Sequence, residues 1–558
     1  ADTVSKADGG TFDGNVTMAG TLAVTGATTL TGGVSGNTTF SNNVTITGDL
    51  ASSTSGTSNF RAGVNAGNSI ASGGNFNTVV GDEAGTALTT GDDNTAFGYG
   101  ALYSEDAHGK NTAVGTNSLL TLNAGADGYN TAVGYFSGRL ITTGIRNTLI
   151  GSSSGVSLTS GNYNTALGYI ALDADTQGQS SVAIGYGSLT SQNFTSATDA
   201  YNVAVGLNAG NQVTTGISNT IVGGLAGDAL TDADHNVAVG QSALSADTKG
   251  SKNTAVGHSA LEAQNFTSST SSYNTAIGSD AGKAISTGIQ NVIIGSNAGD
   301  ALTDADFNVA IGYNVLSADT KGSRSVAIGR SALGSQNFSS ATDTNNTAVG
   351  FGTGSSVTTG TSNTLIGNSA GDTIQSGNNN ICLGSGSDVN HDTSNGIAIG
   401  VNISATDNDF SFGKASNVVT NDFDTDANFS RSSDERLKKN ITNQTLGLDF
   451  INDLRTVKYN WKPSHELDST DSQLAHLYKE KEADNEMNTT ATMHNFIAQE
   501  VKAALDKAGV SDFSGWKEDQ YGVQQVSREM FIIPLVKAMQ ELSAKNDALE
   551  ARIKTLEG

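Results

Sequence analysis

The chain has 558 residues, with 68 Gly and only 2 Pro, and 29 basic against 54 acidic side chains, a formal net charge of −25. That length exceeds what one hydrophobic core usually serves. The acidity disfavours nucleic acid and anionic lipid headgroups as partners and leaves sugars and proteins open. A single cysteine, Cys382, excludes an intrachain disulfide and reads as a small buried apolar residue. No apolar run is long enough to cross a bilayer as a helix, so no membrane insertion is expected, and neither an export signal nor an anchor is read.

Four segments follow from composition and pattern: 1–76, 77–413, 414–432 and 433–558. In the first, GNVTMAGTLAVTGATTLTGG alternates apolar and polar residues with frequent Gly. Val16, Met18, Leu22, Val24 and Leu30 would form one apolar face, which fits a short fibrous β segment or an irregular attachment segment.

From Asn77 a five-residue word recurs, such as NTAFG at 94–98, NTAVG at 111–115 and NTAIG at 274–278. Its closing glycines run from Gly81 to Gly384, usually 17 residues apart, with looser copies ending at Gly400 and Gly413. A longer period lies on top: Gly134, Gly206, Gly278 and Gly350 are 72 residues apart. The last step of each block is longer and carries Phe194, Phe266 or Phe338. The second coil of each block has Leu149, Ile221, Ile293 or Leu365 where the others have Ala.

This spacing predicts a parallel β-solenoid. Seventeen residues are too few for a βα unit and fit two short strands and two turns. The word alternates with period 2, so the residues one and three before Gly share a face. The Ala between them faces the other way, where a second chain would demand a small side chain. The Gly allows positive φ, and the Asn suits a corner or a side-chain ladder. Some twenty coils at about 4.8 Å would span roughly 90 Å. A thin apolar interior per copy favours burial shared between chains, with a monomeric β-helix as the alternative. The words resemble the head repeats of trimeric bacterial adhesins, whose parallel β-rolls associate as trimers.

Segment 414–432 reads as a linker. Composition then changes: residues 433–558 hold both tryptophans, both prolines and four of the five methionines. The stretch opens with SDERLKKNI (433–441), followed by LGLDFINDLRTVKYNWK (446–462), NFIAQEVKAAL (495–505) and FIIPLVKAMQELSAKNDALEARIKTLE (531–557). These words, in this order, resemble the peptidase S74 family, the intramolecular chaperones of phage tailspikes and endosialidases. The resemblance implies a domain that folds as a trimer, directs folding of the preceding shaft and then cuts itself off. It places the scissile bond between Ser432 and Ser433, with Ser433 as nucleophile and Lys438 as general base. Asp434 and Arg436 match the motif as a structural pair.

Serine is a poor nucleophile until a base takes its proton. A neutral lysine serves if burial or nearby positive charge disfavours its ammonium form, and Arg436 and Lys439 are close in sequence. Five residues on a straight helix amount to about 500°, leaving Ser433 and Lys438 on different faces. They must meet across a turn or between chains.

Near the end, Leu535, Met539, Leu542, Asn546, Leu549, Ile553 and Leu556 follow alternating steps of four and three, a heptad seam with a polar residue at one a position. Pro534 marks the helix N-terminus. Such a helix associates with its copies, docks on the shaft, or folds back on its own domain. Segment 465–490 reads as a solvated loop.

His235, His258, His391 and His494 lack metal-ligand spacing, and no cofactor or metal is implied. The Asp corners at 232–234 and 304–306 only weakly suggest calcium. The recurring Phe residues read as caps on adjacent coils. Together the expectation is a mainly β, homotrimeric phage tail fibre with a C-terminal α+β chaperone domain ending in a coiled-coil helix. It would be made in the host cytoplasm and carried on the virion. The N-terminus would join a tail or baseplate protein, and the shaft would bind a glycan or outer-membrane receptor. Its one enzymatic act would be single-turnover self-cleavage. A polysaccharide-depolymerising tailspike and a bacterial surface adhesin are the alternatives.

Overall fold

The computed structural model describes residues 54–558 apart from 416, 423–425, 432, 483–488 and 491. The N-terminal apolar face (Val16 to Leu30) and Ser432 therefore lie outside the described residues. The chain divides into two compact units, Ala1–Ser432 and Ser433–Gly558.

The first unit is a parallel β-solenoid. Each coil contributes a three-residue strand, as at Thr131–Val133 and Thr148–Ile150, which pair residue on residue. Among the described residues the sheet has 23 strands. Its first described strand is Phe60–Ala62, one coil before Asn77. The expected linker is not plain linker: Asn417–Asp422 and Asp426–Arg431 add two antiparallel strands to the last coil. Most coils have one strand rather than the two expected, the remainder being turns. A second, two-residue pairing occurs in the block-ending coils, as between Gly178–Gln179 and Thr198–Asp199.

The word explains the coil. Its Gly takes φ +142° at Gly206, and a Cβ there would lie 2.5 Å from the carbonyl oxygen of Gly223 in the next coil. Only Gly allows both the dihedral and the approach. The Asn side chains form a ladder. The Oδ1 of Asn130 accepts the backbone N–H of Asn147 at 2.9 Å, and the Asn130 Nδ2 donates to the carbonyl of Gly144 at 2.9 Å. Each coil's buried backbone groups thus find partners in the next.

One expectation is overturned. The Ala of the word faces the interior of its own coil, not another chain: Ala132, Ala166 and Ala204 are fully buried in one continuous cluster with Leu119, Ile141 and Leu158. The roll therefore has a core of its own. Volume is balanced between two positions of the coil. Coils with Ala in the strand place Leu four residues after the Gly in many copies, as in Ala166 and Leu172. Where the strand carries Leu149, its neighbours are Gly138 and Gly155, whose hypothetical Cβ atoms would lie 2.8 and 2.9 Å from the Leu149 methyls. The bulky residue of each block's second coil fills space that glycines vacate.

The second unit is α+β. Helices α1 (Leu448–Asp453), α2 (Ala498–Ala508) and α3 (Ile532–Glu557) pack with two antiparallel pairs, Val457–Tyr459 with Met493–Asn495 and Trp516–Glu518 with Gln524–Val526. The core comprises Leu446, Phe450, Val501, Ala504, Leu505 and Phe531. The Phe531 ring meets Phe513 edge-on at 5.1 Å. Helix α2 ends at Gly509, φ +68°, where glycine is favoured. Pro534, third residue of α3, is buried in the first turn, where a missing N–H breaks no helical bond. Among the described residues no helix is long and apolar enough to cross a membrane.

Candidate active site

The second unit opens with the site. Asp434 caps a single 3-10 turn, Glu435–Leu437, by accepting the backbone N–H of Arg436 at 2.9 Å. The Arg436 guanidinium closes on the same carboxylate, Nε to Oδ1 at 3.0 Å and Nη2 to Oδ2 at 2.6 Å. The turn closes when the Lys438 backbone N–H donates to the carbonyl of Glu435 at 2.9 Å. Lys438 then leaves in extended conformation, φ −113°, ψ 148°. Ser433 and Lys438 thus flank one tight turn, and their side chains meet on its outside, Lys438 Nζ to Ser433 Oγ at 2.7 Å. Within the chain, then, the two side chains meet across the turn, one of the two arrangements left open by the five-residue spacing.

Ser433, Arg436 and Lys438 are exposed in the single chain, and Asp434 is half-buried. The Arg436 guanidinium and backbone N–H hold the Asp434 carboxyl below its usual range, with the Lys438 charge acting in the same direction. The geometry provides a hydroxyl and an amine within proton-transfer distance, beside a masked carboxylate.

The heptad residues lie on α3 as expected. Leu535, Met539, Leu542, Leu549, Ile553 and Leu556 are each at least half exposed. Asn546 donates to Glu550 of its own helix at 3.2 Å. Among the described residues, it is the start of α3 that is tied to its own domain: Pro534 and Ala538 are buried, and the Glu541 carboxylate accepts the Leu448 N–H at the start of α1, 2.8 Å. Among the described residues of this unit the seam is left largely uncovered.

In the shaft, Phe194, Phe266 and Phe338 are 7% exposed and cap neighbouring coils. Beneath them lies a feature the sequence reading missed. Asp175, fully buried, accepts the N–H of Phe194 at 3.2 Å and the Gln192 amide at 2.6 Å. Asp247 with Gln264 and Asp319 with Gln336 repeat the pair. The signal was present, because the seventh residue after each Gly is apolar in two coils of a block and Asp then Gln in the next two.

The Asp corners are engaged. Asp234 and Asp306 each accept a backbone N–H at 2.8 Å, and Asp232 and Asp304 lie 3.6 and 3.8 Å from Lys249 and Lys321. Glu105, Asp106 and His108 are close enough together to share an ion, but the buried Glu105 already accepts the backbone N–H groups of His108 and Ala124. Cys382 is buried, which pushes its thiol up, with Asp388 and Asp372 adding to the effect.

Residues 433–510 match the peptidase S74 family model, described as the chaperone of endosialidase. No curated protein and no solved structure matches the chain. A β-solenoid followed by a domain of this family fits a tail fibre or tailspike with a C-terminal chaperone domain. The match to this family implies a self-cleaving, peptidase-type activity in that domain. Helix α3 lies beyond the matched stretch.

Proposed function

We propose that the protein is a homotrimeric phage tail fibre whose C-terminal domain templates trimer folding and then cuts the chain between Ser432 and Ser433. The observation that carries the chemistry is the 2.7 Å contact between Lys438 Nζ and Ser433 Oγ across the turn. A serine that follows the scissile bond reaches the carbonyl carbon of the residue before it through a five-membered ring. Neutral Lys438 takes the hydroxyl proton as Ser433 Oγ attacks the Ser432 carbonyl. The C–N bond breaks, the proton passes to the departing Ser433 nitrogen, and Ser432 is left as an ester on Oγ. Water then hydrolyses that ester, releasing the Ser432 carboxylate and a domain that begins with Ser433. In a single chain this turn is open to solvent. Association of three domains would desolvate it and make cleavage conditional on assembly.

Two surfaces support the trimer. One is the uncovered α3 seam. The other is the outward face of the solenoid sheet, where residues one before the Gly, including Phe97, Ile150, Leu167, Ile277 and Ile366, remain more than a third exposed. The columns flanking this face carry Lys110, Arg146, Lys252, Arg324 and Arg330 against only Asp82 and Asp93, on a strongly acidic chain. Copies meeting through it would bury apolar surface without opposing their acids. The severed shaft would persist without its template as a kinetically stable fibre. Its N-terminus would join the virion, and its sides would meet a host receptor.

Intact-mass measurement of purified wild type and Ser433→Ala tests the proposal. The expected result is two fragments from wild type, one beginning at Ser433, and a single full-length chain from the variant. A wild-type trimer that folds and stays uncut would remove the peptidase reading.

A further inference from the structure

Resting on the Ser433–Lys438 reading, the geometry points to Arg436 as a positioning residue that masks the Asp434 carboxylate and so keeps it from pairing with the base, Lys438. Asp434 is the nearest acid to Lys438 in sequence after Glu435, and it caps the turn that carries the lysine. A carboxylate left free beside an ammonium favours the charged amine, which cannot accept the serine proton. Here neither oxygen is free for that. Oδ1 accepts the Arg436 backbone N–H and Nε, and Oδ2 accepts Nη2 at 2.6 Å and a longer Nε contact at 3.2 Å. The fork of a guanidinium suits this double contact, and an ammonium does not. Lys438 Nζ is directed instead to Ser433 Oγ.

The other charged groups of this turn are Glu435 and Lys439, both exposed. Among the described residues, the recorded hydrogen bonds and ion pairs of Asp434, Arg436 and Lys438 are all made within residues 433–438. The turn thus separates two tasks on one carboxylate. Its backbone contact shapes the turn, and its charge is answered by Arg436 so that the base is left to the nucleophile.

The pH profile of autocleavage in the full chain tests this. In Arg436→Gln the cleavage midpoint should rise by about one pH unit, slowing cleavage roughly tenfold below it, with the plateau at high pH retained. Adding Asp434→Asn, which removes the charge but keeps a capping side chain, should return the midpoint to the wild-type value. Arg436→Lys should fall between. An unchanged midpoint in Arg436→Gln overturns the inference. So does a shift that Asp434→Asn leaves in place, or a uniform drop at every pH, which would mark a role in turn shape alone.

A second readout does not need cleavage. In the full-length Ser433→Ala chain, competitive acetylation read by peptide mass mapping follows the pH at which Lys438 becomes nucleophilic. That pH should rise with Arg436→Gln and be restored by Asp434→Asn; no movement overturns the masking. Absence of cleavage in wild type would instead remove the dyad, leaving the acetylation profile to decide the masking alone.

Discussion

The two units handle buried polarity in opposite ways. In the solenoid, amides and carboxylates lie inside and are repeated from coil to coil. Burial pushes the carboxyls of Glu105, Asp173, Asp175, Asp228, Asp247 and Asp300 up, and brings Asp388 to about 6. In the C-terminal domain the shifted carboxylates are on the surface. Arg436, Thr470, Arg455 and the Leu448 N–H hold Asp434, Asp468, Glu500 and Glu541 respectively below their usual range. A stacked array places a complementary group one coil away at a fixed distance, so polar groups can be buried in register. A small domain with one irregular core has no such array, and leaves its charges in water.

The largest expected effect lies on the chemistry of the second unit. Lys438→Ala should slow cleavage by roughly 10³-fold or more while the solenoid melts as before. A variant that cleaves at the wild-type rate would remove the assigned base. Next comes the core of the first unit. Leu149→Ala, in a position fully buried between glycines that cannot refill the space, should cost about 3 kcal/mol per chain. Far-UV circular dichroism during unfolding is the measurement, and an unaltered transition would contradict an autonomous core. The exposed seam is a third contrast. Leu549→Asp should leave the domain folded, because Leu549 is 57% exposed, yet weaken association by about 2 kcal/mol per chain. Sedimentation of the full-length Ser433→Ala chain would show it, and an undiminished trimer would place the interface elsewhere.

The smallest effect separates the units by pH. A carboxyl raised in the folded state adds stability as pH falls from its folded towards its unfolded value. A lowered one contributes stability above its unfolded value and loses it as pH falls through the folded one. As pH falls through about 6, the value for Asp388, the raised carboxyls should therefore add stability to the solenoid, offset in part at lower pH by the surface carboxyls of Asp127, Asp280 and Asp392, which are held below their usual range. The domain should hold until about pH 4 and then weaken. Both tryptophans, Trp461 and Trp516, lie after Ser433, so their fluorescence follows the domain alone while circular dichroism is dominated by the larger solenoid. Parallel melting shifts in the two signals between pH 7 and pH 3.5 would contradict the contrast.

Much of this was legible in residue order. The recurrence of NTAVG-like words determined a stacked architecture, because a coil of 17 residues leaves no other way to satisfy its backbone. The words from Ser433 to Leu505 marked the domain, and alternating steps of four and three marked the α3 seam. The strand alternation also showed that Ala and its neighbours face opposite ways. It did not show which way is inward, because Ala132 and Val133 are both apolar. Tertiary structure decided that: Ala132 lies inside the coil among Leu119 and Ile141, while glycines stack from coil to coil where an added Cβ would clash. The same holds at Ser433. The spacing to Lys438 forbade a helix but left turn and neighbouring chain equal. The Asp434 cap and its guanidinium partner shape the turn across which the two side chains meet within one chain, by hydrogen bonds that no spacing rule encodes.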